Sequence, residues 1–143
     1  MVSRDVLMSI RPVYAEAIFS GTKTIELRRR RPSFPVGTRV VVYSTSPEQR
    51  LHGSFEVAGI LEATPEALWK SVHERAGVDR SVFDAYFDGC DQAYGIEISE
   101  PRRITPTVLP IRPPQSYQYL RAQRPKHRDI LRLAALPQIA TVS

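Results

Sequence analysis

A single cysteine, Cys90, stands in a chain of 143 residues. No internal disulfide can form, and a reducing compartment, the cytoplasm, is expected. No apolar run approaches the ~20 residues that span a bilayer. The first ten residues, MVSRDVLMSI, hold an acid and lack the apolar stretch of a secretory signal, so no membrane partner is expected. His52, His73 and His127 are scattered, with no cysteine at metal-ligand spacing, so neither a metal site nor a cofactor is expected. A glycine-rich phosphate cradle and a Gly-x-Ser-x-Gly elbow are both missing, which leaves P-loop and serine-hydrolase chemistry without a motif. Acids are scarce as well: 15 Asp and Glu face 20 Lys and Arg, a net charge of +5. That excess suits a polyanionic partner, although it speaks to electrostatics and not to fold.

What is present fits one soluble domain, with 42% apolar and 24% charged residues. VLMSI (6–10) is a short apolar run with the look of a buried strand. Pro12 opens a helix whose Tyr14, Ala17 and Ile18 share a face, and Gly21 stops it. KTIELRRR then alternates apolar with polar, the strand period. TRVVVYST is a β-branched central strand. RLHGSFEVAGILEA is a long strand in which Gly53 and Gly59 predict bulges or sharp curvature. Thr64 and Pro65 open one helix, and Asp79 caps another carrying the stripe Val82, Phe83, Tyr86, Phe87. QAYGIEISEPRRI is strand-like, and PTVLPI (106–111) is expected as a last edge strand. The order predicts an α+β domain with a small, strongly curved, mostly antiparallel sheet. Beyond Ile111 the chain turns proline-rich and basic, and ILRLAAL suggests a final short helix.

The segments LMSIRPVYAEAIFSGTKTIELRRRRP, VVVYSTSP, LHGSFEVAGILEATPEALW and FDAYFDGCDQAYGIEI resemble the ASCH domain family, from about Val6 to about Leu120. The resemblance implies a PUA-like β-barrel flanked by short helices over residues 1–120, followed by a basic tail, 121–143. It implies recognition of RNA or of a nucleotide or nucleoside, with DNA as an alternative. Family members differ in function, so fold analogy gives a class of ligand and no more. Some members look like bare nucleic-acid-binding modules, and others are grouped with transcriptional regulators. A bacterial branch hydrolyses acylated cytidines such as 4-acetylcytidine.

Within SGTKTIELRRR, Lys23 matches the lysine that is catalytic in that branch. A lysine desolvated in such a place acts as base or nucleophile, and a solvated one merely starts a strand. Glu26 stands where the branch has a hydroxyl residue, a departure that weakens the hydrolase reading. Its carboxylate can accept from a base amino group or hold Lys23 and Arg28 in place. Strand alternation puts Thr24, Glu26 and Arg28 on one face, with Ile25 and Leu27 on the other. Glu74 is the nearest candidate for the branch's third catalytic group, and a surface helix position describes it equally. Arg28 and Arg30 share a face and can meet phosphates, or the arginines can guard a sheet edge. Tyr43, Ser44, Thr45 and Ser46 offer stacking and hydrogen bonds at a strand end, and Gln115, Ser116, Tyr117, Tyr119 and Arg121 do so after a rigid Pro-Pro. The alternative for each is ordinary packing or a turn.

Three functions are therefore open. The first is a module that binds RNA or a nucleotide in a pocket between barrel and first helix. The second is an amidohydrolase centred on Lys23. The third is a transcription-associated regulator that binds DNA or a protein through its tail, Arg121 to Arg132. Nothing in the sequence bears on oligomeric state.

Overall fold

The computed structural model describes residues 5–135. The elements in chain order are β1 (Val6–Ile10), α1 (Pro12–Ser20), β2 (Ile25–Arg28), β3 (Arg39–Ser44) and β4 (Arg50–Ala63). They are followed by α2 (Pro65–Val72), α3 (Arg80–Tyr86), β5 (Ala93–Thr107), β6 (Tyr117–Tyr119) and α4 (Pro125–Ala134). The helices begin where their capping residues dictate. Pro12 is the first residue of α1. Thr64 Oγ1 accepts from the Ala67 N–H at 3.3 Å, and Asp79 Oδ1 from the Val82 N–H at 3.0 Å.

The strands form one mixed sheet in the order β2-β5-β4-β3-β1-β6. β1 and β3 pair in parallel, and the other described pairs are antiparallel. The register slips between Leu51 and Gly53 and between Val57 and Gly59, so β4 bends at the two glycines. A Cβ on Gly53 would lie 2.1 Å from the Arg102 carbonyl oxygen, and that approach admits no side chain. The sheet curls into a half-barrel whose edges come together. Ser33, beyond β2, donates its N–H to Tyr117 Oη of β6 at 3.1 Å, and the rings of Phe34 and Tyr117 meet edge-on at 5.0 Å. The architecture is α+β, a curled, mostly antiparallel sheet with short helices around it.

One element lies elsewhere than expected. β5 runs on through Pro101 and Pro106 to Thr107, and the edge strand is 117–119, with Tyr119 opposite Val6. Of the expected 106–111 strand, Pro106 and Thr107 are the end of β5 and residues 108–111 are irregular chain, with Pro106 and Pro110 each withholding a ladder N–H.

Alternation along the central strands separates two cores. Val6, Met8 and Ile10 of β1 face α1 together with Val40, Val42 and Phe55. Leu7, Val41, Tyr43 and Leu51 face the other way, where Ile130 and Ala134 of α4 cover them. A third cluster joins Ile25 and Leu27 of β2 to Leu68 and Val72 of α2 and Phe83 and Phe87 of α3. The first fifteen residues of the expected tail, 121–135, thus include a helix packed on the sheet; residues 136–143 lie outside the described residues.

Candidate functional site

A cavity of about 670 Å³ opens between the C-terminal end of β1, the start of α1, β2 and α3. Its floor is ionic. Lys23 is 2% exposed and Glu26 8%. Glu26 sits between two cations, with Oε1 3.8 Å from Lys23 Nζ and Oε2 3.2 Å from Arg28 Nη2. Lys23 Nζ also donates to the Ala76 carbonyl oxygen at 2.5 Å and lies 5.2 Å from the centre of the Tyr14 ring. Arg28 Nη1 donates to Ser116 Oγ at 3.0 Å, while its Nε–H is buried without a partner.

Local structure explains this arrangement. Lys23 closes the turn after α1, its N–H bonded to the Ala17 carbonyl oxygen at 3.0 Å. The N–H groups of Thr24 and Ile25 both donate to the Arg75 carbonyl oxygen and draw the loop after α2 across the lysine. Gly77 sits in that loop at φ +69°, where a Cβ would stand 3.0 Å from Lys23 Cβ. The lysine is thereby roofed by backbone. Burial pushes its pKa below 10.5; the Glu26 carboxylate pulls it back up, and the Arg28 guanidinium lowers it further.

The remaining walls are of two kinds. Ser9, Thr45, Gln115 and the exposed Arg11 supply polar groups, and α3 supplies an apolar side. On α3, Val82 is 42% and Tyr86 37% exposed, so the outer half of the expected stripe lines the cavity instead of a core. Tyr86 Oη donates to the Leu27 carbonyl oxygen at 3.3 Å, and burial raises its pKa.

Of the residues singled out from the sequence, the structure brings Lys23, Glu26 and Arg28 together. Thr24 is outside the cavity lining and accepts from Arg75 Nε at 3.1 Å. Tyr43 points to the α4 side of the sheet. Ser44 is fully buried with its Oγ unpartnered, Ser46 is in the exposed turn beyond β3, and Thr45 between them lines the cavity. Tyr117 packs against Phe34, Arg30 is exposed beyond β2, and Arg121 is exposed beyond β6. The Glu74 side chain is 88% exposed and lies beside His73, outside the cavity lining. The loop after α2 reaches the site through the Ala76 carbonyl instead. Thr45 and Gln115, each singled out with its neighbours, do line it, whereas Tyr14, Arg11 and Val82 were not expected there. For Tyr14 the signal was its place on α1, two residues beyond the Pro12 start. Among the described residues no cluster of three or more His, Cys, Asp or Glu could hold a metal ion, and no helix is long and apolar enough to cross a membrane.

The model of the ASCH domain family matches residues 8–107. The chain is 28% identical over 128 residues to the ASCH domain-containing ribonuclease of Zymomonas mobilis, covering 84% of this chain and 86% of that one. The crystal structure of ASCH from Zymomonas mobilis superposes with a TM-score of 0.80 at 27% identity, covering 89% of this chain and 92% of the other. A weaker sequence likeness, 24% over 95 residues, links 66% of the chain to 30% of the large ribosomal subunit protein uL22 of Ureaplasma parvum.

Proposed function

The chain belongs to the ASCH domain family, and from that premise we propose that it acts on RNA by taking one nucleotide of an unpaired strand into the cavity. The observation that carries this reading is the buried Lys23–Glu26–Arg28 set on the floor. Burying an ion costs several kcal/mol, and replacing such a set by apolar groups is often neutral or stabilising. A floor of this kind inside an open cavity is therefore better explained by a ligand than by the fold. Glu26 accepts from an exocyclic amino group, Lys23 and Arg28 donate to carbonyl or phosphate oxygens, and the α3 wall covers the apolar face of the base. The ribonuclease name of the Zymomonas relative supports RNA as the polymer.

The test is the affinity of short single-stranded RNA for wild type and Glu26→Gln. A charged hydrogen bond is worth about 1.5–3 kcal/mol, so the variant binds roughly 10- to 100-fold more weakly, at low and high salt alike. Equal affinity would sink the base-reading pocket. One observation favours a second reading, cleavage of the bound strand: the lowered pKa of Lys23 lets it exchange a proton closer to neutral pH than a solvated lysine does. The same RNA, resolved by length after incubation, decides it. Fragments made by wild type and not by Lys23→Ala establish cleavage, and intact RNA with both leaves a binding module.

A further inference from the structure

We infer that the segment Arg121–Arg132 is a second contact surface, one that grips the phosphate backbone of the same strand away from the cavity. It rests on the RNA reading above. Arg121, Arg124, Arg128 and Arg132 recur at spacings of three and four residues. The Arg124 N–H bonds to the Arg121 carbonyl oxygen in the turn that precedes α4, and the Arg128 N–H to that of Arg124, so Arg124, Arg128 and Arg132 follow one side of the helix and Arg121 stands one turn ahead of it. All four are exposed, as is Lys126.

Elsewhere on the surface some arginines are matched with acids, Arg31 with Glu62, Arg75 with Glu97, Arg80 with Glu66 and Asp84, Arg103 with Glu16, while Arg11, Arg30 and Arg112 stand singly without one among the described residues. Around α4 the unmatched cations are clustered. Asp129 meets Arg132 at 3.7 Å, and Arg121, Arg124, Lys126 and Arg128 have no acidic side-chain partner among the described residues. Residues 1–4 and 136–143 contain no Asp or Glu that could supply one. The arrangement works against the helix. Like charges four residues apart repel, and Arg124, Lys126 and Arg128 crowd the end of α4 where the helix dipole disfavours cations. A polyanion removes both penalties.

The geometry sets the length of the ligand. Gln115 lines the cavity, and β6 leads from there along β1 to Leu120, whose N–H bonds to the Asp5 carbonyl oxygen at the far end of that strand. Gln115 and Arg121 are six positions apart, at full extension roughly 20 Å. Phosphates of an unpaired strand are spaced no closer than the about 3.4 Å rise of a duplex, so about six phosphates at most cover that distance. An RNA of about two nucleotides reaches one surface, and one of about twelve reaches both.

The experiment compares both lengths on wild type, on Glu26→Gln, and on a triple variant, Arg121→Ala with Arg124→Ala and Arg128→Ala. These three arginines are exposed, and circular dichroism verifies that the variant is folded. For the longer RNA, removing one arginine–phosphate pair lowers the slope of log affinity against log salt by about 0.7, so the triple variant has a slope smaller by about 2. For the shorter RNA its affinity is that of wild type. A wild-type slope with the longer RNA overturns the inference and leaves the stripe to an acidic protein. Glu26→Gln reports separately on the cavity. If it binds both lengths as wild type does while the triple variant has the smaller slope, the cavity reading fails and the stripe stands. No binding of either RNA by wild type overturns both.

Discussion

Glu26→Gln tests the ionic floor apart from any ligand, through stability. At an effective dielectric constant of about 20, unit charges 3.8 Å and 3.2 Å apart attract by about 4 and 5 kcal/mol, for Lys23 and Arg28 in turn. Desolvating three ions takes back most of that, and removing one partner of a buried pair costs a net ~3–5 kcal/mol. Gln keeps the volume and one acceptor, Lys23 keeps the Ala76 carbonyl, and Arg28 keeps Ser116. The low end, about 3 kcal/mol, is therefore expected near pH 7, and for a chain of this size it lowers Tm by roughly 10 °C. The pH dependence identifies the cause. Glu26 is the group that raises the Lys23 pKa, so the variant is left with burial and Arg28, which both lower it. Between the folded value and 10.5 in the unfolded chain, the unfolded state binds one more proton, and stability rises with pH. That window opens at lower pH in the variant. The deficit against wild type therefore shrinks as pH rises from about 7 toward 10. Thermal melts followed by circular dichroism measure both. A variant as stable as wild type at pH 7, or a deficit that holds constant with pH, would refute the account of Lys23 as a buried cation held by Glu26.

Two further perturbations reach the roof of the site and the C-terminal segment. Gly77→Ala places a Cβ 3.0–3.2 Å from three carbons of the Lys23 stem at a left-handed backbone position. The conformation alone costs about 1–2 kcal/mol, and displacement of the stem adds to it. Urea unfolding should show at least that loss, with short RNA bound more weakly, and a loss under about 0.5 kcal/mol would mean that the loop yields freely. His127 is buried, and its Nδ1 accepts the Arg121 N–H at 2.9 Å, so that nitrogen carries no proton in the fold. Burial, then Arg124 and Arg121, put its pKa below 6.5. The unfolded chain therefore holds the extra proton in the window below 6.5, and stability falls as pH drops from there to the folded value, then levels off. His127→Gln lacks that step. Equal pH dependence of wild type and variant between about pH 4.5 and 7 would refute it.

Most of the fold could be read from local signals, because caps and periods are local. Thr64, Asp79 and the glycines of β4 act within a few residues of themselves. The edge strand could not, since three residues are too few to show a period and their partner, β1, is more than a hundred residues away. In the tail the basic residues conceal the buried set His127, Ile130 and Ala134, although i, i+3 and i+7 are positions on one helix face. In the site, alternation did put Glu26 and Arg28 on one face of β2. It could not say that Lys23 is buried, because the cover comes from Ala76 and Gly77, more than fifty residues on. Tyr43 shows a different limit: a central strand apolar on both faces gives no sign of which face meets the cavity. The apolar stripe of α3 has the same ambiguity, and only the packed structure distinguishes the buried Phe83 and Phe87, the first of which also reaches the cavity wall, from the exposed Val82 and Tyr86.

The carboxylate at position 26 bears most directly on what the cavity does. Where the acylated-cytidine hydrolases have a hydroxyl beside the lysine, this chain has a negative charge 3.8 Å from Lys23 Nζ. A hydroxyl leaves burial free to depress a lysine's pKa and yields the neutral amine that base or nucleophile chemistry needs. Glu26 opposes that depression, so Lys23 holds its proton to higher pH than the same lysine beside a hydroxyl would. A retained ammonium is a donor to anions and carbonyls and a poor nucleophile. The group that would act third, Glu74, is meanwhile outside the cavity. On the proposed reading, the carboxylate suits the site to gripping a polar, anionic ligand better than to amide hydrolysis. In a cleavage reaction it would suit Lys23 to giving up a proton to a leaving oxygen rather than to taking one.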